Sequence, residues 1–287
     1  MPSGIIIIDK PADWTSMDVC AKLRGILKTK KIGHAGTLDP MATGVLPVFV
    51  GQATKAVEFA EKGSKEYVAG LRLGITTNTE DTSGEVLTQT DVKVTRADLE
   101  AVLPRFMGKI SQIPPMYSAI KIGGKKLYEL ARKGVEVERK AREITIEELE
   151  ILDEISPEEY LIRVVCSKGT YIRTLCHDIG AALSCGAAMS SLRRTMAAGF
   201  TISQAVTLEE VQEKGEELLL NVDSYFANHP AYTVANAEEE RRVRNGNFIE
   251  TDLAEGLYRV YSCEGEFLCL SRQEKEKLVS VKNFFGA

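Results

Sequence analysis

Long apolar runs are missing from this chain. No stretch approaches the roughly 18 consecutive apolar residues that a membrane-spanning helix needs, and the block Ile5–Ile8 is long enough only for a buried strand. No basic segment, apolar segment and small-residue cleavage site follow one another at the N-terminus, so a secretory leader is not expected and the expected address is the cytoplasm. The six cysteines (Cys20, Cys166, Cys176, Cys185, Cys263 and Cys269) contain no CxxC pair and no zinc-like spacing to His34, His177 or His229. They read as reduced, mostly buried thiols. A basic balance is lacking too: 36 Lys and Arg against 41 Asp and Glu give a net charge of -5, which by its sum argues against a nucleic-acid partner. Internal repeats and low-complexity tracts are absent.

Charge is nevertheless segregated. Acidic residues gather in 143–159 and 209–217, and basic ones in 22–31, 121–142, 193–194 and 241–244. One face could contact phosphates on this pattern, or the runs could be solvated helix faces. With 44% hydrophobic and 27% charged residues, the 287-residue composition is that of a chain with a substantial core, long enough for one large domain and a small one.

The apolar run 4–9 reads as a strand ended by Lys10-Pro11, and Thr15 or Ser16 can cap a helix over about 17–27, where Val19, Leu23 and Ile26 share a face. Residues 66–73 and 160–167 read as strands, 76–84 as turns, and 96–106 and 170–183 as helices. Strands and helices alternate without regular βαβ units, so the expected fold is α+β: a central mixed, mainly antiparallel sheet flanked by helices. Composition changes near Pro230, which gives expected domains of 1–229 and 230–287, the second a small β-rich module with strands near 256–260 and 265–270.

Three constellations can carry chemistry. The first is the loop 33–44, Gly-His-Ala-Gly-Thr-Leu-Asp-Pro-Met-Ala-Thr-Gly, in which glycines and Pro40 could hold the Asp39 carboxylate at a defined place. It lacks the Gly-Lys-Ser/Thr ending of a nucleotide-cradling loop, and by its local sequence alone Asp39 reads more readily as an Asx-turn or helix cap. The second is 166–175, in which a strand passes through Gly169 into a helix. Tyr171 and Arg173 share a face if the strand continues and diverge if the helix has begun, and Arg173 either lies on the surface or pairs with a distant carboxylate. The third is 114–132, where Tyr117, Lys121, Lys125, Lys126, Tyr128 and Arg132 interleave rings and cations around Gly123-Gly124. That mixture suits an RNA grip, or an exposed amphipathic helix.

In order and spacing these blocks, together with Ile8-Asp9-Lys10-Pro11, Thr15-Ser16, Lys65-Glu66-Tyr67, Leu73-Gly74 and Leu192-Arg193-Arg194, resemble the bacterial uridine-55 pseudouridine synthase family over roughly 4–200. The resemblance implies that Asp39 is the essential carboxylate, that Tyr67 stacks on the target base and that Arg173 forms a salt bridge with Asp39. It further implies that His34 helps hold the displaced nucleotide, that Tyr171 and Leu192 line the pocket, and that 121–142 is a mobile thumb over the RNA. The expected substrate is the T-arm of tRNA, acted on by a monomer without cofactor or metal, and the C-terminal module is similar to a PUA domain. Asp13 departs from the glycine common in the first block and leaves that turn's geometry open. Two rival readings stand: an RNA-binding protein without catalysis on the same scaffold, and a hydrolase or phosphotransferase, which would need a second carboxylate or a metal near Asp39.

Overall fold

The computed structural model describes residues 2–286. The chain opens with β1 (Gly4–Lys10), α1 (Ser16–Ile26), β2 (Ile32–His34), β3 (Thr43–Val50), a short α2 (Val57–Ala60) and β4 (Lys65–Leu73). A hairpin of β5 (Ile75–Thr77) and β6 (Val86–Gln89) leads to α3 (Arg96–Val102) and β7 (Gly108–Gln112). A second small hairpin, β8 (Lys121–Ile122) with β9 (Lys125–Lys126), precedes α4 (Leu127–Ala131). The long hairpin β10 (Arg142–Ser156) and β11 (Glu159–Cys166) is followed by α5 (Ile172–Ala182), β12 (Ala187–Ala197), β13 (Phe200–Thr201) and α6 (Leu208–Lys214). The C-terminal part holds β14 (Ala231–Thr233), α7 (Ala237–Arg244), β15 (Ile249–Glu250), β16 (Gly256–Tyr261), β17 (Phe267–Glu274) and β18 (Lys277–Asn283).

The main sheet has nine strands in the order β1-β3-β12-β4-β11-β10-β7, with β2 added to β3 and β13 to β12. Its pairs are antiparallel except β3 with β12. A five-stranded second sheet runs β14-β16-β17-β18-β15. The architecture is the α+β class expected from the alternation of elements.

The Ile5–Ile8 run is continuous because β1 is covered on both faces. Ile6 and Ile8 pack with Val19, Cys20 and Leu23 of α1 and with Leu208 and Val211 of α6. Ile5 and Ile7 face the other way, against Phe49, Phe226, Leu270 and Phe284, so the second sheet contributes to a core shared with the main one. Thr15 caps α1 in a reciprocal capping box with Asp18. The acidic run 143–159 is not a helix face but most of a bulged strand hairpin: Ile144 and Ile146 alternate inward and the carboxylates turn out. Residues 114–132 likewise form no long amphipathic helix, because Gly123 and Gly124, both at positive φ, close a two-residue turn and leave α4 only five residues.

One close approach ties this sheet to the loop between β2 and β3. Gly44, at φ +100°, lies against the β12 backbone, where a Cβ would stand 2.2 Å from the Arg194 carbonyl oxygen. Gly44→Ala is therefore expected to lower unfolding free energy by at least about 2 kcal/mol in denaturant titration, through strain and the clash together; a loss within about 0.5 kcal/mol, the range of ordinary surface changes, would contradict this packing.

Candidate active site

The loop between β2 and β3 is clamped from several sides before its carboxylate is considered. Lys10, fully buried at the end of β1, donates from Nζ to the carbonyls of Pro11 at 2.8 Å, Trp14 at 2.6 Å and Pro40 at 3.0 Å. The Asp13 amide donates to Pro40 O at 2.9 Å, and Asp13 itself sits at φ +64°. Asp tolerates that left-handed region better than most side chains, so it keeps the turn a glycine would make. Ser16 Oγ accepts from the Leu38 amide at 2.9 Å. From β12, Arg194 donates through Nε to Val45 O at 2.7 Å and through Nη2 to Gly36 O at 3.0 Å.

This frame presents Asp39 with its side chain 40% exposed. Among the described residues its carboxylate accepts no backbone N–H, so it serves neither as an Asx-turn nor as a helix cap. It pairs instead with Arg173, Nε to Oδ2 at 3.0 Å. Arg173 is not on the surface: it is 5% exposed and is the second residue of α5, while Tyr171 stands at the N-cap position of that helix. The two side chains therefore diverge. The remaining guanidinium donors go to Thr79 O at 3.0 Å and Tyr117 O at 2.8 Å, and the Asp81 carboxylate approaches Nε at 3.7 Å.

Asp81 was not singled out from the sequence, where it is one acidic residue in a turn-rich segment. Its buried carboxylate is held by the Thr79 hydroxyl at 2.8 Å and the Ser83 amide at 3.0 Å, both on Oδ1, which leaves Oδ2 toward Arg173. Lys10 and Arg194 had been noted only as parts of motifs; nothing in their spacing signals that they brace the loop. Among the described residues, no three His, Cys, Asp or Glu side chains are arranged to hold a metal ion.

Tyr67 and Leu192 stand on the neighbouring strands β4 and β12, 7% and 8% exposed, in one apolar cluster with Leu38, Ala42 and Ile172. They form a wall beside the Asp39 loop. Burial pushes the Tyr67 phenol pKa up, with Arg194 opposing. Tyr171 is half-buried, its phenol also pushed up by burial, and it lies beside Ser118. His34, on β2, has Arg194 as its charged neighbour; burial first and that cation second draw its pKa down, so the ring is neutral at pH 7. The structure thus joins Asp39 to Arg173 directly and places Tyr67, Leu192 and Tyr171 around them, with His34 against Arg194.

Residues 24–172 match the sequence model of the TruB family pseudouridylate synthase N-terminal domain, and residues 173–224 match that of the tRNA pseudouridylate synthase B C-terminal domain. The chain belongs to the TruB family of pseudouridine synthases. It is similar to the tRNA pseudouridine synthase B of Alkaliphilus oremlandii, with 50% identity covering 86% of this chain and 83% of that one. To the same-named protein of Syntrophomonas wolfei it is 47% identical, over 93% and 92%. Among solved structures it resembles a chain of a Cbf5-Nop10-Gar1 complex (28% identity, TM-score 0.73, covering 98% of this chain and 83% of that one). A chain of an H/ACA RNP bound to a substrate RNA containing 2'-deoxyuridine is similar too (26%, TM-score 0.72, 98% and 85%). The chain is accordingly an enzyme of this synthase class, and the seam between the two family models falls at Arg173, inside the site.

Lys10 gives the site a pH signature. Burial pulls its pKa down to about 8, with the Asp13 and Asp39 carboxylates pulling the other way. Below about 8 the proton is present in folded and unfolded chains alike; between about 8 and the ordinary 10.5 only the unfolded chain keeps it, so this group alone makes stability rise with pH. Over the same window the neutral amine has two N–H donors for three carbonyls, so one contact of the clamp is lost. The kcat of the wild type is expected to fall as pH climbs through about 8, and Lys10→Met, slower throughout, to lack that limb; an identical alkaline limb in both would remove Lys10 from the account.

Proposed function

We propose that this enzyme isomerises uridine 55 in the T-loop of tRNA to pseudouridine, with Asp39 as its catalytic carboxylate. The observation that carries the reading is the Asp39–Arg173 pair: a carboxylate partly open to solvent, fixed by a buried guanidinium, beside the wall of Tyr67 and Leu192. The relatives named tRNA pseudouridine synthase B supply the substrate class.

The reaction breaks the N-glycosidic bond, turns the base and rejoins it through carbon. Oxidation state and atom count are unchanged, so the chemistry asks for no redox partner or energy source. A positioned carboxylate can attack the sugar carbon, add to the base ring, or act as a base. Asp39 is free for any of these because Arg173 occupies one oxygen, Oδ2, and no backbone donor occupies the other.

A uridine inside a folded loop has to leave its stack, at a cost of a few kcal/mol. Stacking on Tyr67 returns about 1–3 kcal/mol of that. Tyr67 is almost covered, so the base enters by displacing the side chains packed over it. The exposed Lys121, Lys125, Arg132 and Lys133 supply phosphate contacts from the thumb, whose approach at Tyr117 is latched to Arg173. The PUA-like second sheet adds an RNA surface. The enzyme works as a monomer in the cytoplasm, where its substrate is found.

Tritium release from tRNA labelled at uridine C5, with the product position mapped, tests the reading. The wild type is expected to release tritium and form pseudouridine at position 55. Asp39→Asn is expected to bind tRNA within a few-fold of wild type and to lose on the order of 10⁴-fold in rate; release by Asp39→Asn at a tenth of the wild-type rate would reject the assignment. Arg173→Lys keeps the charge but loses the planar fork that reaches Asp39, Thr79 O and Tyr117 O together, and a drop of about a hundredfold in kcat is expected in the same assay.

A further inference from the structure

We propose that Gly36, Lys65 and Arg194 form a subsite for one phosphate of the RNA backbone next to the target nucleotide. The proposal rests on the reading of this chain as a tRNA-acting synthase and assigns that substrate a contact none of the residues above provides.

The first observation is a buried cation without an anion. Arg194 is 0% exposed, and among the described residues no carboxylate pairs with it. A buried guanidinium ordinarily has a carboxylate or a full set of acceptors. Here Nε and Nη2 have the carbonyls of Val45 and Gly36, and the Tyr67 phenol lies beside the guanidinium, but Nη1, equally buried, has no acceptor within hydrogen-bond distance among the described residues. Beside it, His34 Nδ1 is likewise buried and unpartnered.

A second cation converges on the same point. Lys65, half-buried at the start of β4, makes no ion pair among the described residues, and its pKa is lowered by burial and then by Arg194. Exposed Lys168 adds to that repulsion, while Cys166 and exposed Glu61 oppose it. Where the two side chains meet, the backbone is bare. Gly36 has φ +78°, and a Cβ on it would lie 3.2 Å from Arg194 Nη1 and 3.2 Å from Lys65 Cε.

Two cations, an unsatisfied N–H and a missing Cβ define a place for an anion. An anion there would give Nη1 its acceptor and offset the repulsion between Lys65 and Arg194. Asp39 does not fill this role: among the described residues its carboxylate pairs with Arg173 and makes no contact with Arg194 or Lys65. Gly36 lies three residues before Asp39 in the same clamped loop, so the anion would adjoin the reacting nucleotide. A backbone phosphate is the anion that an RNA substrate brings to that position, where such contacts set register and orientation.

The test measures tRNA affinity against salt for the full chain, and repeats it with T-arm hairpins carrying one neutral methylphosphonate linkage on the 5' or 3' side of the target uridine. Lys65→Gln is expected to bind about tenfold more weakly than wild type, the worth of one charge-assisted contact. Its slope of log affinity against log salt is expected to be shallower by about 0.7–0.9, one phosphate contact. Lys65→Arg should keep both. One of the neutral linkages should weaken wild type and leave Lys65→Gln unaffected. A wild-type slope in a folded Lys65→Gln, or equal losses from each neutral linkage in both proteins, overturns the subsite. Thermal unfolding that inorganic phosphate raises only when Lys65 is present, with unchanged RNA slopes, assigns the site to a free anion and overturns it too. Pseudouridine formation on the same hairpin separates the two levels: its absence in wild type refutes the parent reading, and its presence with unchanged slopes refutes the subsite alone.

Discussion

A guanidinium that is nearly removed from water has to find acceptors, and Arg173 finds them on separate pieces of chain. Its donors reach the Asp39 carboxylate, the carbonyls of Thr79 and Tyr117, and the edge of Asp81. They belong to three segments: the Asp39 loop, the turn before β6, which supplies both Thr79 and Asp81, and the stretch before β8. Because leaving any of those donors unmet would cost about 1–3 kcal/mol, the segments are held in one arrangement by one side chain. The Asp39 carboxylate is left partly exposed once that demand is met.

The sheet makes the arrangement possible by bringing distant residues onto adjacent strands. β12 lies between β3 and β4, so Leu192 and Arg194 sit beside Tyr67 on one side, and Arg194 meets the bare backbone of Gly44 on the other. Lys10 at the end of β1 and Arg194 on β12 then grip the Asp39 loop at Pro40, Gly36 and Val45. Two buried cations thus brace the loop through carbonyls while a third, Arg173, orients its carboxylate. The loop itself contains few hydrogen bonds of its own, and its rigidity is borrowed from the elements around it.

Much of this was legible in the sequence where local chemistry decides the outcome. The Ile5–Ile8 strand, the Thr15 cap of α1 and the strands β4 and β11 follow from periodicity and capping residues, and Asp39 and Arg173 stood out within ordered blocks. Asp81, Lys10 and Arg194 did not, because their roles depend on which carbonyl or carboxylate the fold delivers to them from 30 to 158 residues away. The acidic run 143–159 misled for a related reason: carboxylates placed on alternate positions of an exposed hairpin look the same, in composition, as a solvated helix face. Residues 114–132 hid their short hairpin because two adjacent glycines carry the turn and leave little periodicity on either side.

The central claim is that Arg173 acts on the rate through Asp39. Single-turnover pseudouridine formation by Asp39→Glu, Arg173→Lys and the double variant, each with saturating tRNA, tests it most directly. If the two side chains act as a unit, the double variant loses far less than the product of the single losses, with a coupling of about 1–3 kcal/mol. Losses that simply multiply would show that Arg173 contributes independently of Asp39 and would contradict the account.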